Sequence, residues 1–115
     1  MKPLLFLMIL LSVSMSAAAQ LALKIGVGRA AGQTGILAYF FQPLVIGGLA
    51  LYGLGAILWL SVLARAPLSV AYPFVGLGFI LTMFAGMLVL GEHVTPMRMG
   101  GTLLIAVGCF LVARS

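Results

Sequence analysis

Charge falls on this chain only at intervals: Lys2, Lys24, Arg29, Arg65, Glu92, Arg98 and Arg114, with nothing ionised at neutral pH between them. Those intervals constrain the fold more than any other feature. A helix of roughly 20 apolar residues, rising about 1.5 Å per residue, matches the thickness of a hydrocarbon core. In lipid every backbone N–H and C=O must be paired internally, so an apolar run of that length is read as a helix. Of 115 residues, 64% are hydrophobic and 6% charged, whereas about a quarter of the residues of a soluble domain carry charge. A chain this short cannot bury so much apolar surface in a core of its own. Its solvent is lipid.

The first twenty residues, MKPLLFLMILLSVSMSAAAQ, also have the outline of a secretory signal, with one lysine, an apolar run from Leu4 to Leu11, and Ala17-Ala18-Ala19 before Gln20. Leu21, Ala22 and Leu23 continue the same run to Lys24, which favours a retained first helix. The spacing predicts four spans, over residues 3–24, 43–63, 69–90 and 96–113, in a single four-helix membrane domain. Gln42-Pro43 opens the second, because proline costs nothing in a first helical turn. Gly91 closes the third, since glycine accepts the left-handed conformation that ends helices. Thr95-Pro96 caps and opens the fourth, which is short. GVGRAAGQTG, from Gly26 to Gly35, reads as a flexible connection. The aromatic group Tyr39, Phe40 and Phe41 that follows suits a membrane interface, as a helix extension or a surface-lying segment.

Lys2, Arg65 and Arg114 fall on one side of this arrangement and Lys24, Arg29 and Arg98 on the other. The positive-inside rule therefore chooses no orientation, a tie that fits either burial of one or two of these residues, which then do not count, or insertion both ways and pairing with an oppositely inserted chain. Four helices are also few for a lined path, so association is expected. Helices in lipid associate through small residues. Gly78, Thr82 and Gly86 form one such stripe and Gly101 with Gly108 another, either within the protomer or between protomers.

Polar residues inside a span are costly and need a reason. Ser12, Ser16, Gln20 and Lys24 recur every four residues along the first span. They lie on one stripe that serves either to satisfy backbone carbonyls locally or to line a path for a polar group, with Lys24 at its mouth for an anion. Cys109 is the lone cysteine and reads as packing. His93 beside Glu92 lacks further ligands for a metal, and no phosphate-cradling Gly-Lys-Ser/Thr loop is present. No catalytic constellation, cofactor site or nucleic-acid footprint is expected; the basic residues at span ends suit membrane anions.

Ala71-Tyr72-Pro73 near the start of one span and Leu90-Gly91-Glu92-His93-Val94-Thr95-Pro96 before the next resemble the half-unit of the drug/metabolite transporter (EamA) superfamily. The four-helix length is similar to its small multidrug resistance branch. Gln20-Leu21-Ala22-Leu23-Lys24 is most similar to an element in subunits of the 4-amino-4-deoxy-arabinose-phosphoundecaprenol flippase. The resemblance covers the chain except residues 26–42. It implies an all-α integral membrane protein, a small multidrug resistance-like bundle of four transmembrane helices. Where cation exporters of that branch carry a membrane glutamate this chain has Ser16, and where they carry a tryptophan it has Val75. A cation in mid-bilayer without a carboxylate is poorly compensated, so cation export is disfavoured. By the same resemblance Tyr72 lines the substrate path, Gly101 and Gly108 match a dimer contact, and Glu92 caps the next helix or pairs with Arg98, with Glu92 and His93 the available groups for energy coupling.

The resulting expectation is a multi-pass transporter subunit of the bacterial inner membrane, not an enzyme, that moves a phosphate-bearing, glycosylated polyprenyl lipid between leaflets. Ser16, Gln20, Lys24, Arg29 and Tyr72 are the candidate substrate contacts. The partners are the lipid-linked substrate, membrane lipids, and an identical or related four-helix chain, parallel or antiparallel. A small-molecule or cation exporter and a non-transporting scaffold are the alternatives.

Overall fold

The computed structural model describes residues 3–30 and 37–115; Met1, Lys2 and residues 31–36, among them residues 31–35 of the expected connection, lie outside them. Helix α1 spans Pro3–Arg29, α2 Leu37–Phe40, α3 Pro43–Leu63 and α4 Leu68–Ala71; a 3-10 turn, Tyr72–Phe74, leads into α5, Val75–Val89, and α6 spans Pro96–Arg114. Among the described residues there is no strand. Three segments are long and apolar enough to cross a bilayer: Pro3–Arg29, Pro43–Leu63 and Leu68–Val89, with mean hydropathy 2.1, 2.0 and 1.9; the apolar part of α6, Pro96–Val112, is shorter. The chain is an all-α, multi-pass membrane protein.

The ends of these helices follow from local chemistry. The Gln42 side chain accepts from the Leu44 amide at 2.9 Å, with Pro43 in the first turn of α3. Gly91, at φ 68°, takes the left-handed conformation that stops α5. The Thr95 hydroxyl accepts from the Arg98 amide at 3.2 Å and caps α6.

Two boundaries differ from the sequence expectation. α1 does not stop at residue 24 but runs to Arg29, so Gly26 and Gly28 are helical and not part of a loose connection. The reason is tertiary: a Cβ on Gly26 would lie 2.8 Å from the Val45 backbone nitrogen. The close approach that only glycine permits offsets its cost of about 1 kcal/mol within a helix. The third span is interrupted at Tyr72–Phe74, because Pro73 has no N–H to give and its ring crowds the preceding turn.

α1 and α3 run antiparallel along most of their length. Ser12, Ala19 and Gly26 recur at seven-residue steps among the buried residues of α1, as do Gly48, Gly55 and Val62 on α3. A seven-residue repeat keeps one seam facing its neighbour over several turns. The seam is read directly from the glycines. Gly48 faces Leu23 and the Ala19 carbonyl, Gly55 faces Met15 and the Ser12 carbonyl, and Gly26 faces Val45. Below this seam Ile9, Val13, Val62, Ala71 and Phe74 form the buried cluster, with Phe6 edge-on to Phe74 at 6.1 Å between ring centroids.

α5 packs on the other side of α1, where a Cβ on Gly78 would meet the Val13 side chain at 3.4 Å. α6 rests on α5 and on the 3-10 turn. There a Cβ on Gly76 would lie 2.7 Å from Ile105 and 3.1 Å from Cys109, and the Cys109 thiol donates to the Pro73 carbonyl at 3.0 Å. The helices thus follow one another across the protein in the order α3, α1, α5, α6. The Cα envelope measures 48 × 35 × 19 Å, and 19 Å accommodates no more than two helix layers at the usual spacing of about 8–10 Å. The result is a slab.

Candidate functional site

Because α1 lies between α3 and α5, the side chains along one of its faces form the floor of a groove whose walls are the two flanking helices. The cavity there has a volume of about 520 Å³. Ser12, Ser16 and Gln20 supply polar groups from α1, Tyr52 and Trp59 come from α3, and Tyr72, Val75, Phe79 and Thr82 come from the third span. The groove is open. Tyr52, Phe79 and Tyr72 remain 45%, 58% and 60% exposed although they line it.

The expected stripe on α1 divides into three parts. Ser12 is buried, and its hydroxyl donates to the Gly55 carbonyl at 2.9 Å, closing the α1–α3 seam. Ser16 and Gln20 face the cavity. Lys24 and Arg29 are exposed further along the same helix and are not among the residues lining it. Geometry accounts for this division. Four-residue steps drift about 40° each on a helix of 3.6 residues per turn, so Ser12 and Lys24 face directions about 120° apart.

Tyr72 lines the cavity from the 3-10 turn. Ser16 and Val75, the positions at which cation exporters would carry glutamate and tryptophan, line the same cavity, from its floor and from one wall, and that lining holds no acidic residue. Tyr52 and Trp59 were missed in the sequence. The signal was available: both rings stand seven apart on one span, and Tyr52 lies at its middle, away from the interfaces where such residues usually collect.

The small-residue stripes separate in the same manner. Gly78 serves the α1 contact within the protomer, Thr82 donates to the Phe79 carbonyl at 3.0 Å and lines the groove, and Gly86 is covered by Glu92. A Cβ added at Gly101 or Gly108 would meet nothing within 4 Å, and both glycines stand exposed on α6. Glu92 does not cap α6; Thr95 does. Nor does Arg98 turn to Glu92: its guanidinium donates to the His93 carbonyl at 3.4 Å.

An array of apolar helices with a mid-span groove that carries hydroxyl, amide and phenol groups and no carboxylate is that of a multi-pass membrane protein. Among curated proteins, the chain is 36% identical over 110 residues to the "Probable 4-amino-4-deoxy-L-arabinose-phosphoundecaprenol flippase subunit ArnE" of Pseudomonas savastanoi pv. phaseolicola, covering 95% of this chain and 96% of that protein. The proteins of the same name from Pseudomonas syringae pv. syringae and Yersinia pestis (strain Pestoides F) are each 41% identical, over 66 and 61 residues. Those two matches cover 57% and 53% of this chain and 61% and 54% of the relatives. The chain belongs to this family of flippase subunits. No family model matches it, and no solved structure does.

Proposed function

We propose that this protein is the subunit of an inner-membrane flippase that passes a phosphate-bearing, glycosylated undecaprenyl lipid between leaflets. The names of the relatives specify 4-amino-4-deoxy-L-arabinose on that lipid; what this groove addresses is the phosphate and the sugar hydroxyls, and its lining holds no acid for an amine. The observation that carries the reading is the groove itself. Hydroxyl, amide and phenol groups line it at mid-span, with no carboxylate among them, so it offers hydrogen bonds to a sugar without repelling a phosphate. A bare phosphate in hydrocarbon faces a desolvation penalty of many kcal/mol. Replacing part of its hydration by Ser16, Gln20 and Tyr72 lowers that penalty while the polyprenyl tail stays in the acyl layer. Lys24 and Arg29, beyond the groove on α1, draw the phosphate toward its mouth.

One chain supplies a floor and two walls. A second chain, identical or related, completes the enclosure in this proposal, docking through the open α6 face that carries Gly101 and Gly108. The test is equilibrium binding of undecaprenyl phosphate lipids to the purified protein, with Gln20→Ala and Lys24→Ala as variants. The expected result is saturable binding that weakens at least several-fold in each. Saturable binding of an organic cation instead would favour an exporter, and binding of neither ligand would favour a scaffold.

A further inference from the structure

A second depression, of about 550 Å³, lies on the other side of α5, between that helix, the 90–95 loop and α6. Its polar lining comes from Glu92, Arg98, Thr82 and Thr102. It shares Phe79 and Thr82 with the central groove. Glu92 is the only acidic residue of the chain, and it is placed there by the fold. Its amide donates to the Gly86 carbonyl at 3.1 Å, folding the loop back over α5. Its carboxylate lies on the bare Cα of Gly86, where any Cβ would collide with Oε1.

Both charges sit where helix capping does not explain them. A carboxylate is disfavoured beside the carbonyls at a helix C-terminus, and a cation is disfavoured in a first turn. Glu92 nevertheless lies at the end of α5 and Arg98 in the first turn of α6. Among the described residues no ion pair joins them, and Arg98 Nη1 instead donates to the His93 carbonyl at 3.4 Å. The depression therefore presents a negative side and a positive side to whatever enters it.

We infer that this depression is a separate site for a head group carrying both a primary ammonium and a phosphate, with Glu92 taking the ammonium and Arg98 the phosphate. An amino-sugar phosphate lipid and phosphatidylethanolamine share that chemistry. For the first of these the inference rests on the function proposed above, the site standing next to the central groove as the place where the amine is recognised.

The test uses the full chain in nanodiscs free of phosphatidylethanolamine. The probes are undecaprenyl phosphate bearing 4-amino-4-deoxy-L-arabinose, its N-acetyl derivative, phosphatidylethanolamine and N-acetylphosphatidylethanolamine. The expected result is roughly tenfold tighter binding of the free amine than of its N-acetyl form. Glu92→Gln abolishes that preference and leaves the N-acetyl affinity unchanged. Gly86→Ala, which keeps the charge but displaces it, does the same; circular dichroism verifies that each variant folds. An amine preference that survives Glu92→Gln overturns the site. If Gln20→Ala weakens polyprenyl binding while Glu92→Gln changes nothing, the central groove stands and this site falls. If no polyprenyl lipid binds, the proposed function falls, and the phosphatidylethanolamine pair decides the site alone: a Glu92-dependent amine preference supports it and its absence removes it.

Discussion

The Ser12 hydroxyl donates to the Gly55 carbonyl across 2.9 Å, and a Cβ on Gly55 would stand 3.6 Å from the Ser12 carbonyl in return. This reciprocal contact joins two spans whose remaining seam is almost wholly apolar. Interhelical hydrogen bonds in membranes average about 0.6 kcal/mol. Ser12→Ala is therefore expected to lower stability by about that amount, measured by reversible denaturation in mixed micelles. A loss several times larger would mean that the hydroxyl does more than hold the seam.

Close approach matters more than that bond. A Cβ on Gly48 would lie 3.0 Å from Leu23 and 3.2 Å from the Ala19 carbonyl, whereas one on its neighbour Gly47 would meet open space. Overpacking a tight contact costs about 1–3 kcal/mol, so Gly48→Val is expected to destabilise by that much and Gly47→Val to change little. Thermal unfolding of the two variants side by side provides the check.

The cavity is expected to be wet. In a Cys109→Ala background, cysteine introduced at Ser16 or Gln20 should react with a water-soluble maleimide in the folded protein. Cysteine at Leu11, an exposed position on the same helix that is not part of the cavity lining, should react far more slowly. Native Cys109, buried and bonded to Pro73, should be protected until the chain is denatured. Equal rates at positions 11, 16 and 20 would dismiss a hydrated groove.

Charge on the groove wall should set what it accepts. Ser16→Glu places a carboxylate in a cavity that has none, and it is expected to weaken binding of undecaprenyl phosphate at least tenfold. The same substitution should create saturable binding of a lipophilic cation such as tetraphenylphosphonium. Fluorescence titration of both ligands reads the exchange.

Much of the architecture was legible in the sequence because its signals are local. Gln42-Pro43, Gly91 and Thr95-Pro96 mark helix ends through chemistry confined to a few residues, and the helices begin or end at those marks. What escaped was tertiary. Gly26 looks like linker until Val45 is set against it, and Pro73 looks compatible with a straight helix until the turn around it is seen as 3-10. The stripe on α1 was visible, but not which of its members would be consumed by α3. Ser12 was, Ser16 and Gln20 were not, and Lys24 had rotated out of the cavity. Tyr52 and Trp59 could be assigned to the wall only once the antiparallel seam fixed the rotation of α3. The seat of Glu92 depends on a loop path that no residue pattern encodes.

A slab with its groove cut into one broad side has no end through which a long molecule must be threaded. In the proposed function the tail of the occupant trails into the surrounding oil, so its length imposes no toll. Selection then acts on the polar tip alone, and a lipid shortened to a few isoprene units should be handled much like one of full length.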